Sequence, residues 1–295
     1  FMLDADGTRS PRQLCPTHPR VQQLAVDAVQ EVLAANPEAD LVDVSQNDIR
    51  GYCHCDRCMA LIEPEGTPAA PLLQLVNAVA DAVAVTHPRV TITTLGYQDT
   101  VPATRTMKPA ANVAIRLCTD VTWSDVFNPA VNHQVFMDAL TGWARVAPRI
   151  HIWEYQVNFG DYFQPWPSFH AKAQNLRLFV NHHVSGVMEQ GAYQGPGNER
   201  QLMRAWVFAK LLWDPQRDVW ALMQDFIRGY YGVAAAPLEE YNRMLYDCGR
   251  AHRGVLDCMD AETFVARASA LFDAAERLAL DARDAAAGER GELAR

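Results

Sequence analysis

The chain lacks most of the short signatures that would name a chemistry outright. It has no Gly-x-Gly-x-x-Gly loop, no Walker phosphate cradle, no Gly-x-Ser-x-Gly elbow and no His-Glu-x-x-His helix, which sets aside dinucleotide binding, nucleotide hydrolysis, serine esterase and zincin chemistry. Basic charge is also scarce. Against 35 Asp and Glu there are 26 Lys and Arg, a formal net charge of −9, the wrong sign for a phosphate backbone or an anionic lipid surface. No apolar run approaches the roughly 18 to 20 residues that cross a bilayer, and no charged-then-apolar leader opens the sequence. The expected partner is therefore a neutral molecule, with no nucleic acid and no membrane.

At 295 residues and 49% hydrophobic content the chain can bury a large core, as one α/β domain or as two smaller ones. It begins at Phe1, before a Met, with an extended piece, Phe1-Met-Leu-Asp-Ala-Asp-Gly7, that reads as the middle of something longer. An export signal would then lie upstream.

Apolar spacing and turn residues predict a helix over 19–35, bounded by Pro19 and Asn36-Pro37, and another over 69–86 on Leu72, Leu75, Val76, Val79, Ala80 and Val83. Strands are expected at 41–45, 90–97, 112–118, 149–155 and 184–190, with helices at 131–146, 169–182 and 199–213. Strands separated mostly by helices need crossovers, which means a parallel sheet with helices outside it. The missing Gly-rich turn disfavours a doubly wound sheet. The five strands fit the C-terminal five, fourth to eighth, of a (β/α)8 TIM-like barrel occupying 1–217. Helices at 218–231, 236–256 and 261–287 make 218–295 a C-terminal helical region packed on that barrel.

In such a barrel the C-terminal strand ends converge on one pocket. Three ends here offer acids: Asp48, beside Asn47, after the first strand; Glu154, between Trp153 and Tyr155; and Glu189, after Met188. A carboxylate set among apolar side chains is costly to bury without a partner or a function. Two carboxyl groups roughly 5 to 9.5 Å apart are what glycosidic hydrolysis requires. Each acid has a blander reading as a helix cap or a salt bridge. The segment from Tyr155 to Trp166 holds five aromatics interleaved with Gln156, Asn158 and Asp161, a mix of flat apolar faces and short polar groups that suits a sugar as well as it suits a core plug. Tyr155, Asn158, Tyr162 and Trp166 are its candidate substrate contacts, joined by Asn47, Tyr97, Trp123, Gln190 and Tyr193 near other strand ends.

Four of the seven cysteines fall early, as Cys15 and Cys53-His-Cys55-Asp-Arg-Cys58. Four thiolates could hold a zinc ion, although C-x-C-x-x-C is not the usual paired knuckle; disulfides compete if the protein is secreted. Either way these residues would staple the loop after Asp48 rather than react. Cys118, Cys248 and Cys258 read as core residues. Neighbouring His182 and His183 point in different directions and read as a solvated helix end.

Ser45-Gln-Asn-Asp48 followed by C-x-C-x-x-C, Leu75-Val-Asn-Ala-Val-Ala80, Trp153-Glu-Tyr155, Gly186-Val-Met-Glu-Gln-Gly191, Leu211-Leu-Trp-Asp-Pro215 and Tyr230-Tyr-Gly232 together resemble the bacterial domain-of-unknown-function family 4838, part of which is classified as glycoside hydrolase family 163. The resemblance runs from about Cys15 to Tyr241. It implies a (β/α)8 barrel in exported proteins of carbohydrate-degrading bacteria, secreted or periplasmic, and an endo-β-N-acetylglucosaminidase activity on N-glycan cores. By the same resemblance, Asp48 and Glu154 take the positions of an acid/base and a nucleophile, and Glu189 orients the sugar. The expected function is thus a retaining glycosidase acting on N-acetylglucosamine-containing glycans with no organic cofactor. The rivals are a glycosidase of other specificity, a non-catalytic glycan-binding barrel and a zinc-dependent interaction protein.

Overall fold

The computed structural model describes residues 1–119, 134–193, 195, 197–251 and 258–293. They form two units that interleave along the chain. Among the described residues the first takes in 1–119, 134–154 and 179–189, and the second 155–178 together with the described part of 190–293.

The first unit opens with a short antiparallel pair, β1 (Met2–Leu3) and β2 (Arg9–Ser10), and continues with α1 (Pro19–Ala35), β3 (Leu41–Asp43), α2 (Asp56–Glu65), α3 (Ala69–Thr86), β4 (Thr91–Gly96), β5 (Val113–Cys118), α4 (Gln134–Val146), β6 (Ile150–Tyr155) and β7 (Val184–Gln190). The last five strands make one curled sheet in sequential order, β3-β4-β5-β6-β7. The β3–β4, β4–β5 and β5–β6 pairs are parallel, with Asp43 beside Thr93, Leu95 beside Arg116 and Arg116 beside His151. The α/β class and the parallel sheet agree with the strand-and-helix count.

Local chemistry explains most of the element boundaries. Pro19 opens α1 with His18 accepting from the Arg20 amide, and the Asn36 amide closes it on Leu33, as a proline start and a polar stop require. β3 ends two residues before the expected 45. The Ser45 hydroxyl accepts the Leu95 amide at 3.0 Å, taking a place a backbone carbonyl would hold, and the ladder stops there. Helix α2 is a departure from the expected loop. It carries Pro64 in its last turn and closes on Gly66 at φ +71°, so the proline masks a helix that the glycine terminates in the usual way.

Helix α3 corrects the reading that no segment could cross a membrane. Its 18 residues have the length and apolar composition of a span. They are used for packing instead: Leu73, Val76, Val79, Ala80 and Val83 are all at or below 1% exposed, and the helix lies against α1, α2, β4 and β5.

The second unit consists of the segment after β6, α5 (Phe169–Asn181, whose last turn belongs to the first unit), α6 (Gln201–Trp213), α7 (Val219–Tyr231), α8 (Ala235–Arg250) and α9 (Ala261–Leu293). Asp218 caps α7 by accepting from the Ala221 amide at 2.7 Å. Gly232, at φ +53°, ends it. Tyr241, Leu245 and Ala268 form the core between α8 and α9, with Phe264 and Leu271 at its margin.

Candidate active site

Glu154 and Glu189 are the penultimate residues of adjacent strands, and three independent contacts fix their register. The Ser185 hydroxyl reaches the Ile150 carbonyl at 3.4 Å, the ring of His151 lies 2.9 Å from where a Cβ on Gly186 would be, and the Gln156 amide donates to the Gln190 carbonyl at 2.7 Å. The first two align residue n of β6 with residue n+35 of β7, and the third fits the same register because a parallel ladder offsets each N–H donor and its acceptor by one residue, so Glu154 and Glu189 are lateral neighbours with side chains on one face. Neighbouring strands run about 4.8 Å apart, which sets the spacing of the two backbones. Alternation places Glu154 on the side of Ile150 and Ile152, both buried, and Glu154 itself is 0% exposed. On its other flank the Thr119 amide donates to the Trp153 carbonyl at 2.9 Å, which completes a row Thr119–Glu154–Glu189, buried at Thr119 and Glu154 and half-buried at Glu189.

The opposite face of the same sheet carries a polar band that the sequence reading did not single out. Asp43 accepts from Thr93 Oγ1 at 2.8 Å and from Ser45 Oγ at 2.5 Å, and lies 3.9 Å from the Arg116 guanidinium. Arg116 pairs in register with His151. Burial, followed by the nearby Arg116 and Arg149 charges, pushes the His151 imidazole below its usual range. Gly186 continues the band on β7, where any side chain would strike the His151 ring. The signal was present as the alternation Asp43-x-Ser45 and a lone Arg inside strand 112–118, a period-2 pattern with polar groups where a fully buried strand has none.

Asp48 and Asn47 are exposed on the loop after β3. The Tyr97 phenol is raised above its ordinary value by burial and by its interaction with the neighbouring Asp48. Thus the structure brings Asp48 and Tyr97 together. Asn47 is held differently: its amide and carbonyl bond reciprocally with the Gln13 side chain at 3.0 Å each, and its side chain donates to the Arg12 carbonyl at 2.5 Å. It anchors the loop to the segment after β2. A cavity of about 120 Å³ opens beside it, lined in part by Gln46, Asn47, Tyr97 and Asp99.

The remaining candidates belong to the second unit. Tyr155 meets Phe159 edge-on at 5.8 Å, and Phe159 meets Tyr162 at 6.3 Å. Burial and the neighbouring Tyr193 phenol raise the Tyr162 hydroxyl, and Tyr193 is 71% exposed. Asn158 is used within the loop, donating to Gln164 and accepting from the Gly160 amide. Trp166 is buried under Arg204, whose guanidinium lies 5.2 Å from the ring; it is a packing residue here. Gln190 closes the β7 ladder. Trp123 lies outside the described residues.

A buried ion cluster beneath this loop also escaped the sequence reading. Arg204, 2% exposed, pairs with Glu199 at 2.9 Å, donates to Ser168 Oγ at 2.6 Å and to the Trp166 carbonyl, and covers Phe169. Burial pulls its guanidinium down to about 10, still protonated at neutral pH. Arg200 bonds the same Glu199 and donates to Asn242 Oδ1 at 2.9 Å.

The four early cysteines converge. Their sulfurs all lie within 4.8 Å of one another, with Cys15 Sγ 3.7 Å from Cys55 Sγ and 3.8 Å from Cys58 Sγ. Burial raises the Cys53 and Cys58 thiols. At Cys55 burial is outweighed by hydrogen bonds from the Cys58 amide and the neighbouring thiols, which bring it down to about 6.

The model of the family described as a domain of unknown function (DUF4838) matches residues 1–242. A comparison with curated proteins finds no match. The chain belongs to the DUF4838 family.

Proposed function

We propose that this DUF4838 member is a retaining glycoside hydrolase acting on N-acetylglucosamine-containing glycans, and that its sheet is the latter part of a (β/α)8 barrel. The observation that carries the reading is the in-register pair Glu154 and Glu189 at the C-terminal ends of neighbouring parallel strands, where barrel enzymes hold their catalytic groups. One carboxyl protonates the glycosidic oxygen as the other attacks the anomeric carbon; the bond to the leaving sugar breaks, and water then releases the glycosyl group with the first residue acting as base. Asp48, held by Tyr97, offers a further carboxylate to a sugar hydroxyl. A net charge of −9 is compatible with a neutral glycan. Export to a compartment where glycans are met, the endo mode of cleavage and the N-glycan core as target belong to the same proposal.

The test is incubation of the protein, as part of its natural full-length chain, with an N-glycosylated protein, beside Glu154→Gln and Glu189→Gln. Released glycan with a free reducing N-acetylglucosamine, lost in a variant of unchanged thermal stability, is the expected result. If neither this substrate nor aryl N-acetylglucosaminides are cleaved, the substrate class is wrong, and glycan binding without catalysis takes its place.

A further inference from the structure

We propose that Cys15, Cys53, Cys55 and Cys58 bind a single zinc ion through four thiolates, and that this ion fastens the N-terminal hairpin and the Asn47–Asp48 loop to helix α2. The proposal does not rest on the glycosidase reading.

Distance decides first. A tetrahedral ion with Zn–S bonds of about 2.3 Å places its sulfurs about 3.8 Å apart along each edge. The sulfur separations here are 3.7 Å for Cys15–Cys55 and 3.8 Å for Cys15–Cys58. A disulfide needs about 2.05 Å, so both contacts are far outside bonding length, whereas both match that edge. A polynuclear iron–sulfur cluster would spread its four cysteines wider than the 4.8 Å that contains them all. Among the described residues this is the one group of three or more metal-ligating side chains whose ligand atoms converge.

The surroundings suit a thiolate centre. Four thiolates around a divalent cation leave two negative charges, which must be met by donors. The Leu3 amide lies 3.3 Å from Cys53 Sγ and the Thr17 hydroxyl 3.1 Å from Cys58 Sγ. Cys55 is the N-cap of α2, so its sulfur lies at the positive end of the helix, where a thiolate is favoured. Met2, Ile62 and Met59 enclose the group, limiting access by water and chelators.

The mechanical consequence follows from connectivity. Cys15 lies two residues after Gln13, which is 8% exposed and bonds both backbone groups of Asn47. Cys53 lies five residues after Asp48 on the other side of the loop. An ion shared by Cys15 and Cys53 therefore holds both ends of the segment that presents Asp48. The N-terminal pair β1–β2 is only two residues long in each strand and is too short to be stable by itself. Four thiols lose their protons to solvent as the metal enters, so affinity falls in acid.

The experiment is elemental analysis of the full chain purified under reducing conditions without chelators, beside Cys58→Ser and the control Cys118→Ser. One equivalent of zinc in the wild type and in the control, with at least a tenfold loss in Cys58→Ser, is the expected result. Because Cys58→Ser can misfold, the wild type is also titrated with an organomercurial while zinc release is followed with a metallochromic dye; release should track modification of these four thiols. Replacement by Co²⁺ should give intense tetrahedral d–d bands and sulfur-to-metal charge transfer. A mass about 4 Da lower in the unreduced protein, from two disulfides, overturns the proposal, as does metal-free protein that gains no such bands with Co²⁺, or iron in place of zinc.

Discussion

Glu154 and Glu189 are lateral partners across the β6–β7 ladder, a buried carboxylate beside a half-buried one. Two carboxylates side by side near the C-terminal ends of neighbouring strands occupy the place where barrel enzymes hold their reacting groups, which is the physical ground for reading the pair as chemistry. Glu154→Gln and Glu189→Gln are each expected to lower kcat/KM by about 10²–10⁴-fold while leaving the melting temperature unchanged or higher. An aryl glycoside with a good leaving group separates the roles: loss of the acid leaves bond cleavage largely intact on that substrate, and loss of the nucleophile does not.

Burial and the neighbouring Asp48 raise the Tyr97 phenol above its ordinary value. Tyr97→Phe removes the hydroxyl that interacts with Asp48 and leaves that carboxylate less firmly placed. The expected effect is a rise in KM with kcat little changed. A fall in kcat alone would assign Asp48 to the reacting centre instead, and steady-state kinetics at several pH values distinguish the two.

Glu65 and His151 are among the groups that set the acid limit of stability. Burial opposes ionisation of Glu65, but bonds from the Thr106 hydroxyl and the Thr106 and Met107 amides win and hold its carboxyl below the ordinary value. Its stabilisation is present above the unfolded pKa of about 4.3 and is lost as pH falls through the lower folded value. His151 has a folded pKa below its unfolded value of about 6.5, so the unfolded state takes its proton first. Stability therefore drops as pH falls from about 6.5 to that folded value and then levels. Melting curves from pH 7 to pH 3 should show both steps, with His151→Gln removing the upper one and Glu65→Gln reducing the lower, to which Glu239 also contributes.

Arg204 joins Glu199, Ser168 and the Trp166 carbonyl in a site almost closed to solvent. Arg204→Met leaves Glu199 with fewer partners for a buried charge and is expected to cost about 3–5 kcal/mol, read from urea unfolding. The double variant Arg204→Met with Glu199→Gln should recover part of that loss; no recovery would mean that packing on Phe169 and Trp166, not charge, is what Arg204 contributes.

Gly186→Ala places a methyl group against the His151 ring, and Gly249→Ala places one 2.1 Å from the Pro167 carbonyl oxygen. The first contact is with a side chain that can shift, whereas the second is with backbone. The expected order of destabilisation, by thermal melting, is Gly249→Ala well above Gly186→Ala, with the smaller change confined to about 1–3 kcal/mol.

Sequence by itself determined the elements and their order. Pro19 and Asn36 bound α1, the apolar stripe from Leu72 to Val83 marks α3, and the β-branched runs at 112–118, 149–155 and 184–190 locate their strands, because capping, periodicity and branching act within a few residues and are legible wherever they occur. It also identified Glu154, Glu189 and the four cysteines by type and setting. Tertiary structure decided who meets whom. That Glu189 lies beside Glu154, that Asp43 and Arg116 line the other face, and that Asn47 and Trp166 are anchors depends on strand register and on hydrogen bonds spanning tens of residues. Helix α2 was hidden for a related reason: Pro64 argues locally against a helix, and only Gly66, Glu65 with its partners at Thr106 and Met107, and the converging sulfurs at its start make that conformation the stable one. Local rules fix what each segment is, and the non-local contacts that fix its neighbours leave no short-range trace for a sequence to carry.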